Sequence, residues 1–118
     1  MKQIQIKRIY ETPLAEDGYR MLVDRLWPRG VKKEDAKLDE WNKNLPPSVE
    51  LRKWFGHKSD RFKEFECKYR LELSKLKEEL KRVKDIAKHS NLTLLYGAKY
   101  PHFNHAVVLL KVLMRMKH

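Results

Sequence analysis

From residue 62 onward, apolar side chains recur at positions 62, 65, 69, 73, 76, 80, 83 and 87. Steps of three and four trace one face of a helix. Ser59-Asp60 supplies an N-terminal signal just before the stripe. A single helix over the whole stripe is long for so small a chain. A break is therefore expected near Ser74, where a serine can cap and Glu78 and Glu79 enter the first turns of the next helix. The competing reading is a coiled coil, but the stripe is short for one and Phe and Tyr fill its first turns.

The flanking segments follow a different period. Gln3–Ile9 puts Ile4 and Ile6 on one face with polar residues between them, a half-buried strand pattern. Thr12-Pro13 and Asp17-Gly18 are turn dipeptides that separate it from a second strand, Tyr19–Leu26. Lys32–Lys37 predicts a short helix, and the Asn-Leu-Pro-Pro-Ser run between Trp41 and Ser48 an irregular connection. Ser48 is placed to cap a helical turn carrying Arg52, Trp54 and Phe55. Asn91 ends the long helical region, Leu92–Tyr96 is a continuous apolar strand, and Gly97–Phe103 is a loop. Asn104 then caps a final helix through about Met116, apolar on most sides and so largely buried. Strands alternating with helices predict a single α/β domain over residues 1–118, in three layers, with a small, mainly parallel sheet flanked by helices.

Composition narrows the class. A chain of 118 residues builds a core without disulfides or a structural metal, and the lone Cys67 leaves no internal disulfide. The longest apolar run, Ala106–Leu110, is far short of a membrane span. The N-terminal MKQIQIKRIY has no apolar core of a secretory signal, so a cytoplasmic location is expected. The formal net charge of +11 is spread along the chain. Residues 1–59 hold 13 basic and 9 acidic side chains, and residues 60–88 hold 10 and 7. Residues 89–118 hold Lys99, Lys111, Arg115 and Lys117 with no acid. Lysine outnumbers arginine 18 to 9, and Lys/Glu-rich surfaces also accompany thermal adaptation.

The candidate chemistry gathers at two strand ends. In Met21-Leu22-Val23-Asp24-Arg25-Leu26-Trp27-Pro28-Arg29-Gly30, an apolar run meets charges and then a Pro/Gly turn. Sheets of this kind place ligands at that edge. Asp24 either orients an arginine or is a buried partner of a backbone N–H. Arg29, in its turn, presents a guanidinium fork suited to carboxylate or phosphate. Tyr96-Gly97-Ala98-Lys99 leading to Asn104-His105 has the order strand end, glycine turn, lysine, helix start, an outline that suits an anion. Any strand–loop–helix connection shares that outline, and the alternative reading of Asn104 is as a cap alone. Trp27, Trp41 and Trp54 each lie near a cation and read either as core or as stacking platforms. His57, His102, His105 and Cys67 lack paired ligand spacing, so neither metal nor cofactor is expected.

Four blocks carry a family resemblance: DGYRMLVDRLWPRG (17–30), LDEWNKNLPPS (38–48), ELRKWFGH (50–57) and TLLYGAKYPHFNHAVVLL (93–110). In their residues and order they resemble the YeaO-like proteins, the domain of unknown function 488. The resemblance implies a small soluble cytoplasmic α/β domain and brings no settled activity. The residues themselves suggest a small enzyme or ligand-binding protein for an anionic small molecule. Arg25, Arg29, Arg52, Lys99 and Asn104 would bind it, Trp27 or Tyr96 would wall the pocket, and Asp24 and His105 are the candidates for catalysis. His105 is the one group suited to acid–base work near neutral pH. The alternative is a basic nucleic-acid-binding module using the C-terminal cations; their small number makes it the poorer reading.

Overall fold

The structure, a computed structural model, describes residues 3–116. Ile4–Arg8 (β1), Tyr19–Leu22 (β2), Glu40–Trp41 (β3) and Leu92–Tyr96 (β4) form one sheet in the order β1-β4-β2-β3, with every pairing parallel. Strand β4 is central: Leu92 is in register with Ile4 on one side and Tyr19 on the other. A strand flanked on both sides and covered on both faces carries mainly apolar residues, so Leu92, Leu94, Leu95 and Tyr96 do not alternate with charge, and the buried Thr93 hydroxyl donates to Asp17 O.

Five α-helices accompany the sheet among the described residues: Lys33–Ala36 (α1), Val49–Phe55 (α2), Phe62–Ser74 (α3), Lys77–His89 (α4) and His105–Arg115 (α5). The fold is α/β, as the alternation of periods predicts. Its helices are unevenly shared between the two faces. Met21, Val23, Leu94 and Tyr96 pack against α2 to α5 through Leu51, Phe65, Tyr69, Leu80, Val83 and Leu109. On the opposite face, Leu22 and Leu95 pack against a smaller apolar set, Ile9, Ala36 of α1, Trp27, Val31, Leu38 and Trp41. Chain length explains the difference. The crossover from β1 to β2 spans only residues 9–18 and holds one 3-10 turn, Ala15–Asp17, whereas three helices fit between β3 and β4.

The helical stripe breaks as expected. Ser74 ends α3, but its hydroxyl donates back to Leu71 O at 2.6 Å and does not cap α4, whose N-cap is Leu76. Two helices of 13 residues each replace the coiled-coil alternative. Strand β2 stops at Leu22, short of the expected Leu26, although Val23 N–H still donates to Leu95 O. Beyond it the Asp24 and Arg25 side chains bond to other loops, which turns the chain out of the sheet. The two-residue β3 is too short to leave a periodic signal.

Beneath the thin face lies a buried ionic cluster. Asp17 is 1% exposed and Arg20 4%. The Asp17 carboxylate accepts from Leu14 N–H, from Lys7 Nζ at 3.0 Å and from Arg20 Nη1. Arg20 also donates from Nε and Nη2 to Ala36 O, tying α1 to the sheet. Burial pushes the Asp17 carboxyl towards its neutral form, but the Leu14 N–H, Lys7 and Arg20 outweigh it and hold the group below its ordinary range.

Candidate functional site

The connections after β1, β2 and β4 meet at one edge of the sheet around a cavity of about 280 Å³. Parallel strands all present their carboxyl ends to the same edge, so segments far apart in sequence converge there. Asp24, Arg25, Trp27 and Arg29 come from the connection after β2, Arg52 and His57 from α2 and its end, and Asn104 and His105 from the start of α5. Tyr96 and Lys99 are not among the lining residues. Tyr96 packs into the core against the helices, and Lys99 is exposed.

Several of the lining groups are held by identifiable bonds. Asp24 Oδ2 accepts the Gly97 N–H at 2.9 Å, the backbone-partner outcome of the two anticipated for it. A Cβ at Gly97 would stand 3.0 Å from that oxygen, so the glycine permits the close approach. Arg25 Nη2 donates to Pro46 O and Pro47 O at 3.0 and 3.2 Å, and Nε to Pro47 O at 3.3 Å. Its Nη1 has no protein partner among the described residues. The Arg29 carbonyl accepts from Tyr10 Oη at 2.8 Å. The Trp27 indole N–H donates to Val31 O, and its ring meets that of Trp41 edge-on at 5.2 Å. Asn104 caps α5: its Oδ1 accepts from Val107 N–H and its Nδ2 donates to Tyr100 O.

His105 Nε2 lies 2.7 Å from Val23 O. A carbonyl only accepts, so Nε2 carries a proton and Nδ1 holds the lone pair in the neutral ring. Asp24 Oδ1, buried and without a hydrogen bond of its own, lies 3.3 Å from the same nitrogen. The shared proton points at the carbonyl, so this second contact is electrostatic rather than a hydrogen bond.

His57 escaped the sequence reading except as a rejected metal ligand. It follows the αL cap Gly56 and itself holds φ at 57°, and its ring packs on Phe55 and Tyr100 at 6.0 and 5.7 Å. Burial, then the nearby Arg52 and His105 charges, lower its pKa, with Asp24 acting against them. The available signal was a Gly-His pair closing a helix that carries Arg52. Trp54, by contrast, lies away from the cavity beneath the cations of Arg61 and Lys68. No group of three or more His, Cys, Asp or Glu side chains suited to a metal occurs among the described residues. None of their helices is long and apolar enough to cross a membrane.

A parallel α/β domain with a cation-lined cavity at the carboxyl edge of its sheet is the class that this fold and site define. The chain belongs to the DUF488 family: residues 3–118 match the model described as the inactive DUF488-N3 subclade, DUF488-N3i. It is 53% identical over 106 residues to the uncharacterized protein YeaO of Escherichia coli strain K12, covering 90% of this chain and 92% of that one. It is 35% identical over 111 residues to the uncharacterized protein Rv3073c of Mycobacterium tuberculosis strain H37Rv, covering 94% and 93%. The same identity and coverage hold for the uncharacterized protein Mb3100c of Mycobacterium bovis. No solved structure matches the chain at a significant level.

Proposed function

We propose that this protein binds an anionic small molecule in the cavity at the carboxyl edge of its sheet. One observation carries the reading: three arginines and two histidines line a single cavity in which Asp24 is the only acid. That carboxylate is engaged by Gly97 N–H and lies beside His105, leaving Arg25 Nη1, Arg29 and Arg52 to face a ligand. Guanidinium groups suit carboxylate or phosphate through paired N–H donors. Binding without turnover is favoured over catalysis. The matching subclade is described as inactive, and the imidazole N–H of His105 is already committed to Val23 O. Nucleic acid is the poorer partner. The charge surplus is dispersed, Lys111 lies 3.7 Å from Glu66, and Lys117 falls outside the described residues.

Arg52 is exposed on α2 and its side chain makes no hydrogen bond among the described residues, so replacing it tests the site without disturbing the fold. Arg52→Glu is expected to weaken sulfate binding at least tenfold, about the 1.5–3 kcal/mol of one charge-assisted hydrogen bond. Calorimetric titration reads the effect. Unchanged affinity in the variant, or no saturable sulfate binding to the parent protein, overturns the proposal.

His57 adds a pH signature. Its folded-state pKa is lowered, so the ring is neutral at pH 7 and takes up a proton only under more acid conditions. An anion beside it offsets the Arg52 charge and raises that pKa. Sulfate should therefore bind more tightly between pH 7.5 and 5.5, with proton uptake, as linkage requires. His105 and Asp24 face the same space, so the comparison is made in His57→Gln and His105→Gln separately. Sulfate does not titrate in this range. An affinity independent of pH in the parent protein contradicts the expectation.

A further inference from the structure

The neutral polar side chains of the cavity wall have protein partners before any ligand arrives. Pro46 and Pro47 have no N–H, and their carbonyls accept from Arg25. The Trp27 indole N–H, the Gly97 N–H, the Tyr10 hydroxyl and the Asn104 amide each have a protein partner. Asp24 Oδ1 is sealed from solvent. The side-chain hydrogen-bonding capacity left for a ligand lies on the Arg25, Arg29 and Arg52 guanidiniums and on His57 and His105. Between these groups the wall consists of the rings of Phe55, Phe65 and Trp27, proline methylenes and Leu26.

Size points the same way. One liquid water takes about 30 Å³, so a cavity of about 280 Å³ holds far more than an inorganic tetrahedral ion and approaches the range of organic ligand sites. A bare ion on the arginines would leave the apolar wall wet. A polyhydroxylated body would place hydroxyls against the apolar rings and proline methylenes, which cannot pair with them.

Resting on the reading of the cavity as an anion site, we infer that its ligand is an aromatic acid: a flat apolar ring against the Phe55, Phe65 and proline wall, bearing one carboxylate or phosphate that reaches Arg25 Nη1 and Arg52. Phosphate monoesters that differ only in their organic group separate this inference from the one beneath it. Phenyl phosphate, methyl phosphate and ribose 5-phosphate are titrated into the parent protein and into Leu26→Ser. Leu26 is 62% exposed, so its replacement spares the core. Phenyl phosphate is expected to bind at least tenfold more tightly than either of the others. Leu26→Ser should weaken phenyl phosphate severalfold more than methyl phosphate. In the parent protein, nuclear Overhauser effects should connect the phenyl protons to Phe55 or Phe65. Equal affinity for phenyl and methyl phosphate, or tighter binding of ribose 5-phosphate, overturns the inference and leaves the anion site standing. Failure of all three to bind, with sulfate also failing, overturns both.

Discussion

Asp17→Asn should destabilise the protein by about 3–5 kcal/mol, the cost of removing one partner from a buried ion pair. The amide no longer balances Arg20, which is 4% exposed and cannot move its charge into water without releasing Ala36 and α1. Lys7 loses the same carboxylate. A small domain has roughly 5–15 kcal/mol of total stability, so the variant stands near the threshold of folding. Denaturant titration at pH 7 measures the loss as a lowered midpoint, and a loss under 1 kcal/mol would show that the cluster acts as an ordinary surface pair. The same group sets a pH dependence. Its folded pKa lies below the unfolded value of about 3.9, so its contribution is present above that pH and disappears as pH falls through the folded pKa. Acid unfolding of Asp17→Asn should lack that component.

Gly18→Ala should be nearly as damaging, with a loss of about 3 kcal/mol or more, because a left-handed backbone and a backbone collision coincide. Gly18 has φ 66° and ψ −126°, and a Cβ there would stand 2.3 Å from Asn91 O. That carbonyl accepts from Tyr19 N–H where β2 begins to pair with β4, so the collision cannot be relieved by turning a side chain. Gly30 provides the comparison. Its φ is 79°, but nothing lies within 4 Å of its added Cβ. Gly30→Ala should therefore cost only about 1–2 kcal/mol, the conformational penalty alone. Thermal melting of both variants checks the contrast, and equal shifts would remove the collision from the account.

Periodicity located most elements because a period of 3.6 or 2 survives in the sequence when one face is buried. It found β1, β4 and the stripe that becomes α3 and α4, and it found two caps, Ser48 and Asn104, whose side-chain oxygens accept from Leu51 and Val107 N–H. It lost β3, whose two residues carry no period, and extended β2 into a segment that other loops pull out of the sheet. It also passed over the Asp17 cluster. Lys7, Asp17, Arg20 and Thr93 are unremarkable polar residues until parallel pairing brings β1, β2 and β4 side by side.

The candidate site divides in the same way. Residues at strand ends and helix starts were legible as Asp24, Arg25, Arg29, Asn104 and His105, because local chemistry marks those boundaries. Local sequence established the order of elements, the apolar stripes, the caps and the α/β class, since these depend on neighbours a few residues apart. Only the tertiary structure brought His57 into the cavity that Arg25 and Arg52 line, turned Tyr96 into the core, left Lys99 off the cavity and engaged Arg25 with Pro46 and Pro47. Those relations join residues separated by tens of positions. Strand order and crossover path decide them, and neither leaves a trace in the local pattern of the chain.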